Sequence, residues 1–369
     1  RYPAKFGLLT PDGKKIVAPA GKTLQTFDAA NARPGVSLAG AAAGEISSLA
    51  LSAKGGYAVT GDTTGAVQFW DIGSGALLKS VQAAQKEMIL AVAFSPDNRY
   101  AASLARFGMI KIWNLQDGQK VSEFKANATP PFYDELLAGN FVNFGSGLLA
   151  FSPDSRHLAC GSRQWDAATG TKVLDFQTPG GPGYWVAFSP DGTHLLSNDA
   201  IWEASTGRRV RKMESIKGAN LSVYSANGQY VYAVDLYGNF YVADAATGKL
   251  LKRFADHIYT ASFDVSQDRK TLIAADLTFP ELSLWHTATG KKGAVIAVDR
   301  PATGVMLNAD GHTAWARQWI SASQYDFRTG KESAQFISFA DGEWIVITPE
   351  GYYNASPGGE RYLSVRVNE

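Results

Sequence analysis

Residues 347–362, ITPEGYYNASPGGERY, gather three glycines, two prolines, three tyrosines and two glutamates. A Gly-rich loop can hold a phosphate on backbone N–H groups, and a Glu beside a Tyr can move protons. Elsewhere the reactive groups are sparse. Cys160 is the single cysteine, so there is no disulfide framework, CxxC metal pair or haem-attachment motif. The five histidines, His157, His194, His257, His286 and His312, make no HxH or HxxxH pair. They recur at turns and strands far apart in the chain, so no metal site is expected. No Gly-x-Ser-x-Gly elbow supports a serine hydrolase. The run GGPGYW at 180–185 precedes a strand rather than a helix, so it lacks the helix N-terminus of a phosphate loop. The expectation is no cofactor, no metal and no catalytic set.

Composition narrows the classes further. The chain of 369 residues carries 35 basic and 34 acidic side chains, a net charge of +1. That balance argues against a broad nucleic-acid footprint. No uncharged apolar run approaches the roughly 18–20 residues that a membrane-spanning helix needs. Hydrophobic residues make up 45%, and 37 glycines with 15 prolines imply many turns. The chain starts at Arg1 rather than Met. Processing of a signal peptide would explain that start, so a periplasmic or exported location is favoured over a cytoplasmic one.

The elements that must position any site come from a repeat. FSPDN (94–98), FSPDS (151–155) and FSPDG (188–192) have looser copies in LTPDG (9–13), LSAKG (51–55), YSANG (224–228), VSQDR (265–269) and LNADG (307–311). Their spacing is near 40 residues with one outlier of 57. Ser or Thr takes local backbone bonds, Pro presets φ, and Asp then Gly tolerate the angles that follow. Apolar alternation flanks each copy, so the motif is a hairpin turn between two strands. A second motif follows about 20 residues later: FWDIGSG (69–75), IWNLQDG (112–118), QWDAATG (164–170), IWEASTG (201–207), VADAATG (242–248), LWHTATG (284–290) and QYDFRTG (324–330). An aromatic ends a third strand, Asp caps the turn, and Gly supplies positive φ. A short fourth strand comes next. Four strands per period predict an all-β chain folded as a β-propeller of four-stranded antiparallel blades.

On these residues the chain resembles the WD-repeat family of β-propellers over essentially all of its length. Trp70–Asp71 and Trp165–Asp166 carry the signature dipeptide, beside three intact Ser-Pro-Asp turns. The resemblance implies a rigid disc whose face and loops hold other proteins. There are departures. Thr64, Phe107 and Tyr237 stand where the family has an Asp before Gly, and Asp256–His257 alone resembles the family's Gly-His pair. The family's buried polar network is therefore expected to be mostly missing, with apolar packing carrying the blades.

Eight blades are favoured, with seven and nine as the other counts. Residues 1–369 read as a single propeller. Blade 1 is expected to start at an inner strand and to lack its outer one, and 333–339 would supply it and close the ring. Residues 343–369 form a partial ninth copy: ITPEG matches FSPDG, WIVI (344–347) and YYNAS flank the turn, and 362–367 reads as a third strand. On that alignment the glycines of the opening stretch serve backbone angles, and Glu350 replaces a turn Asp.

The outlier spacing marks an insertion within 126–147. Insertions in repeat proteins fall in loops on one face, often the binding face. Phe132, Tyr133, Phe141 and Phe144 are candidate partner contacts, weighed against packing back on the propeller. Tyr184 and Trp185, at the start of blade 5, are candidates for contacts or for core. The basic cluster Arg208, Arg209, Arg211, Lys212 and Lys217 reads foremost as a solvated outer strand that discourages edge pairing, and otherwise as a patch for an acidic partner or lipid surface. The expected function is a non-enzymatic protein–protein interaction scaffold, monomeric, with a protein partner. One alternative is a channel-centred enzyme or small-ligand binder. ADAATGK (243–249) is similar to the docking motif of quinoprotein dehydrogenases, although Arg253 and Phe254 stand where that motif ends in Trp, and calcium-dependent lactonase propellers place acidic groups on the channel. The other alternative is a regulatory module of a larger polypeptide. The wording of 344–367 resembles divergent bacterial propellers found beside caspase-like peptidase or other effector domains.

Overall fold

The computed structural model describes residues 7–363, except 21, 30–33, 39–43, 127–147, 177–184, 198, 214–215, 217–218, 226, 236–238, 255–259, 267–269, 277–278, 288–290, 309, 319–320 and 340–342. Within these residues the strands form eight antiparallel sheets, each built from strands consecutive in the chain. The fold is an eight-bladed β-propeller. The blades cover 8–38, 46–82, 89–125, 150–175, 186–212, 219–254, 260–297 and 304–338.

The two motifs fold as their chemistry dictates. In blade 3 the Ser95 hydroxyl accepts the Tyr100 N–H at 2.8 Å and donates to the Asp97 carboxylate at 2.6 Å. Asn98 then takes a φ of 60°, where the copy in blade 5 uses Gly192 at 74°. In the second motif the Asp71 carboxylate accepts the Ser74 N–H at 2.7 Å, and Gly75 closes the turn at a φ of 76°. Beside that turn the register between third and fourth strands slips in every blade, as at Phe69/Trp70, Ile112/Trp113 and Ile201/Trp202. A bulge at this point strengthens the local twist and turns the outer strand away from a flat edge.

The core lies between blades. Eight apolar clusters each span two neighbouring blades. Trp70, Val17 and Leu24 join blades 1 and 2, and Trp315, Phe336, Ile16 and Phe27 join blades 8 and 1. The other six join the remaining pairs in order. Buried polar bonds accompany this packing more than the departures from the family pattern imply. The Trp70 indole N–H donates to the Thr60 hydroxyl and the Trp113 indole to the Ser103 hydroxyl, each at 3.0 Å. Asp62, buried, accepts the N–H groups of Gly44, Thr64 and Ala66.

Blade 1 does not lack an outer strand. Pro34–Leu38 pairs with Thr23–Asp28, and Leu38 lies opposite Leu24. Residues 333–339 are not lent to it. They belong to Lys331–Ser338, the fourth strand of blade 8, which pairs with Ser321–Asp326 across a tight turn closed by Gly330 N–H on Asp326 O. The local partner wins because a short loop costs little closure entropy. Two further strands extend that sheet outward: Trp344–Ile347 on Lys331–Ser338, and Tyr353–Ala355 on Trp344–Ile347. The third strand expected from 362 is absent at its start. Gly359–Tyr362 is a 3-10 turn, and the Tyr362 ring stacks on Phe339 with centroids 3.9 Å apart. Residues 364–367 lie outside the described residues.

Candidate interaction face

The stretch 347–362 is a hairpin turn rather than a phosphate cradle. Gly351 sits at a φ of 88°, and Glu350 is exposed at the tip. The polar bonding lies beneath it. Glu343 accepts the Ser356 hydroxyl and the Gly358 N–H, and Ser356 Oγ accepts the Trp344 N–H at 2.8 Å. Gly359 is required by space, because a Cβ there would lie 2.4 Å from Trp344 O. The exposed aromatics of this region are Tyr352, Tyr353 and Tyr362.

Alternating strand direction gives the disc two faces. One carries the first–second and third–fourth turns of each blade. The other carries the second–third turns and the connections between blades. The candidate insertion belongs to a connection of the second kind. The chain leaves blade 3 at Ala126, whose N–H donates to Gly108 O at 2.8 Å in that blade's second–third turn. It returns at Leu148 and Leu149, both buried in the cluster between blades 3 and 4. Phe132, Tyr133, Phe141 and Phe144 lie outside the described residues, as does Tyr184. Trp185 is half-buried against the same cluster.

Beside that exit stands a residue that sequence reasoning did not select as a contact. Phe107, in the second–third turn of blade 3, is 60% exposed, with the Arg106 guanidinium 5.8 Å from its ring centroid. The signal was available, since an aromatic sits where the family places a capping Asp. Phe279 is likewise exposed, just ahead of the third strand of blade 7.

The channel offers less. The first strands of successive blades contact one another at most junctions, so they form the innermost ring. Among the described residues of these strands the one ionisable carboxylate is Asp264, and none is a histidine. Asp264 accepts the N–H groups of Val265 at 2.8 Å and of Leu307, on the first strand of blade 8, at 2.9 Å. Burial pushes its carboxyl up to about 6 against those two bonds. Neighbouring inner strands are stitched by neutral groups, with Ser262 Oγ accepting Val305 N–H and Ser47 donating to Ile89 O.

His157, His194, His286 and His312 sit in blades 4, 5, 7 and 8, each at a strand end or turn, and do not converge. His257 lies outside the described residues. No set of three His, Cys, Asp or Glu able to hold a metal occurs among the described residues. Cys160 is buried, and burial pushes its thiol up to about 12, which leaves it neutral and unreactive. No described helix is long and apolar enough to cross a membrane.

The basic cluster lies on the outer rim of blade 5. Arg208 reaches Glu203 at 3.6 Å, and Arg211 donates to Ala245 O at 3.0 Å in blade 6. Arg209 and Lys212 are exposed on the outermost strand, and Lys217 lies outside the described residues.

No family model matches the chain. Among curated proteins it is similar to the small ribosomal subunit protein RACK1 of Brassica napus, a WD-repeat protein, with 31% identity over 137 residues. That alignment covers 37% of this chain and 38% of the relative. RACK1z of Arabidopsis thaliana is 36% identical over 84 residues, covering 23% of this chain and 25% of the relative. The kinesin-like protein KIF21B of Homo sapiens is 28% identical over 80 residues, covering 22% of this chain and 5% of the relative. The chain thus spans well under half the length of these curated relatives. Weak sequence similarity and the eight-bladed fold together support a WD-repeat propeller.

Proposed function

We propose that this WD-repeat propeller is a non-enzymatic protein–protein interaction scaffold, monomeric, acting through the face of its second–third turns and inter-blade connections. The observation that carries the reading is Phe107, 60% exposed beside Arg106 where the chain departs for 127–147. Aromatic residues, Phe among them, and Arg are enriched at protein–protein interfaces relative to the rest of the surface. On this reading Phe132, Tyr133, Phe141 and Phe144 are further anchors from the insertion, with Tyr184 and Trp185 as additional candidate contacts. A channel-centred enzyme is the weaker reading, because the described residues of the inner strands carry a single carboxylate, without the second group that acid–base chemistry pairs with it.

The test is in-cell crosslinking with mass spectrometry, comparing the wild type, Phe107→Ala and a deletion of 128–146. All three are expected to give the same β-sheet circular dichroism, and both variants to lose the crosslinks of the second–third face. Retention of the same crosslinked partner in both would remove this face from the site.

We further infer that the propeller is of the divergent bacterial type and regulates an effector, such as a caspase-like peptidase, on the same polypeptide. The support is the wording of 344–367. The full-length gene tests it: a reading frame with no effector domain overturns the inference.

A further inference from the structure

Arg317 lies on the second strand of blade 8, Thr313–Gln318, and is 4% exposed. Alternation along the strand sets its direction. Ala314 and Ala316 belong to the cluster between blades 7 and 8. Trp315 belongs to the cluster between blades 8 and 1. Arg317 therefore points into the seam between blades 8 and 1. Its cross-strand partner Ala322 packs against the same cluster.

Among the described residues the guanidinium has no ion pair or hydrogen bond to a side chain. Nε and Nη1 are sealed from solvent and make no hydrogen bond. Among the described residues no carboxylate acts on it, and burial pulls the group down to about 10. Trp315 Nε1, on the same strand face, is also buried without an acceptor. Three other arginines of the propeller are matched. Arg163 pairs with Asp175 at 2.6 Å, Arg328 with Asp326 at 2.9 Å, and Arg253 reaches Asn239 Oδ1 at 3.2 Å.

A buried cation without a counter-charge is among the most costly arrangements a fold can hold, and an aliphatic side chain of the same length would be more stable. Water would satisfy the N–H groups but would not neutralise the charge. A planar guanidinium with free donors, next to a free indole N–H, fits an oxyanion. Arg317 is one residue from the end of its strand at the second–third turn, so the approach is from that face of the disc.

We propose that Arg317 anchors an oxyanion-binding site in the seam between blades 8 and 1, with the Trp315 indole as a second donor, for a carboxylate or phosphate group. The site is independent of Phe107 and of the scaffold reading.

Thermal unfolding of the full chain tests it, in sodium chloride, sodium phosphate and sodium acetate at equal ionic strength. The wild type should gain a saturable rise in midpoint from phosphate, from acetate, or from both. Whichever anion acts identifies the group. Arg317→Met should show a higher midpoint than the wild type in chloride and should lose the saturable gain. It keeps only the general salting effect of phosphate, which all proteins share. Arg317→Lys retains charge without the planar fork and should bind about 10-fold more weakly. If Arg317→Met does not fold, phosphorus-31 line broadening of inorganic phosphate and carbon-13 broadening of labelled acetate by the wild type read binding directly. A wild type that gains no more than Arg317→Met, or that broadens neither probe saturably, overturns the proposal.

Discussion

Gln324 Nε2 donates to Ala29 O at 2.8 Å, joining residues 295 positions apart in the chain. The same carbonyl accepts Asn308 Nδ2 at 3.0 Å. These bonds cross the seam where the ring meets itself, among Ile16, Phe27, Trp315 and Phe336. The ring therefore closes on buried amide bonds and apolar packing, and among the described residues no strand passes between blades. Gln324→Leu is expected to lower stability by about 0.5–1.5 kcal/mol, since it removes one of two donors from a buried carbonyl that keeps Asn308. Hydrogen exchange should quicken in blades 1 and 8 and stay unchanged in blade 4. Uniform quickening around the ring would contradict a local seam.

The indole bonds of blades 2 and 3 give a second prediction. Trp70 is fully buried, and its N–H depends on Thr60. Thr60→Val leaves that donor orphaned and should cost about 1–3 kcal/mol by denaturant unfolding. In a Trp70→Phe background the same change should cost close to nothing. Equal costs in both backgrounds would show that the hydroxyl acts elsewhere.

Asp264 predicts a pH dependence with a definite sign. Its carboxyl is raised to about 6 in the folded state, from 3.8 when unfolded. Folded protein thus holds the extra proton between those values. Stability from this group falls as pH rises from about 4 to about 6, then levels, by up to about 3 kcal/mol. Asp264→Asn should flatten that part of the profile while keeping an acceptor for Leu307 N–H. An unchanged slope between pH 4 and 6 would assign the proton to another group.

Two turn glycines separate backbone angle from space. Gly65 has a φ of 95°, and a Cβ there would lie 2.0 Å from Ala84 O. Gly311 has a φ of 71° with nothing within 4 Å. Gly311→Ala should cost about 1 kcal/mol, the left-handed penalty alone. Gly65→Ala must also displace backbone and should cost at least twice that. Similar midpoints for the two variants would remove the steric distinction.

The repeat was legible because its determinants are local. A Ser-Pro-Asp turn and an aromatic-Asp turn each close within a few residues, so their types fix the strands and their order and favour eight blades over seven or nine. The ring closure was not local. PGVSL, with Pro34 and Gly35, does not read as a strand alone, yet it completes blade 1 because Thr23–Asp28 leaves an edge for it. SAQFISF alternates well and looked available, but the turn before it had already assigned it to blade 8. The charges of interest were equally hidden. Nothing in TAWARQ marks Arg317 as buried, and nothing in TASFDV marks Asp264 as the bridge to Leu307. Those facts arise only when neighbouring blades meet. Phe107 was visible as a missing Asp, and its meaning came from the exposure of its ring.

Each blade takes its four core strands from one unbroken run of the chain. A ring sealed by an exchanged strand would bind its first and last segments into one sheet, and reordering the gene would cut that sheet. Here the cuts can fall between sheets. Any connection between blades can serve as the point where translation begins, with the old ends joined by a linker, and every sheet is still made whole as it leaves the ribosome.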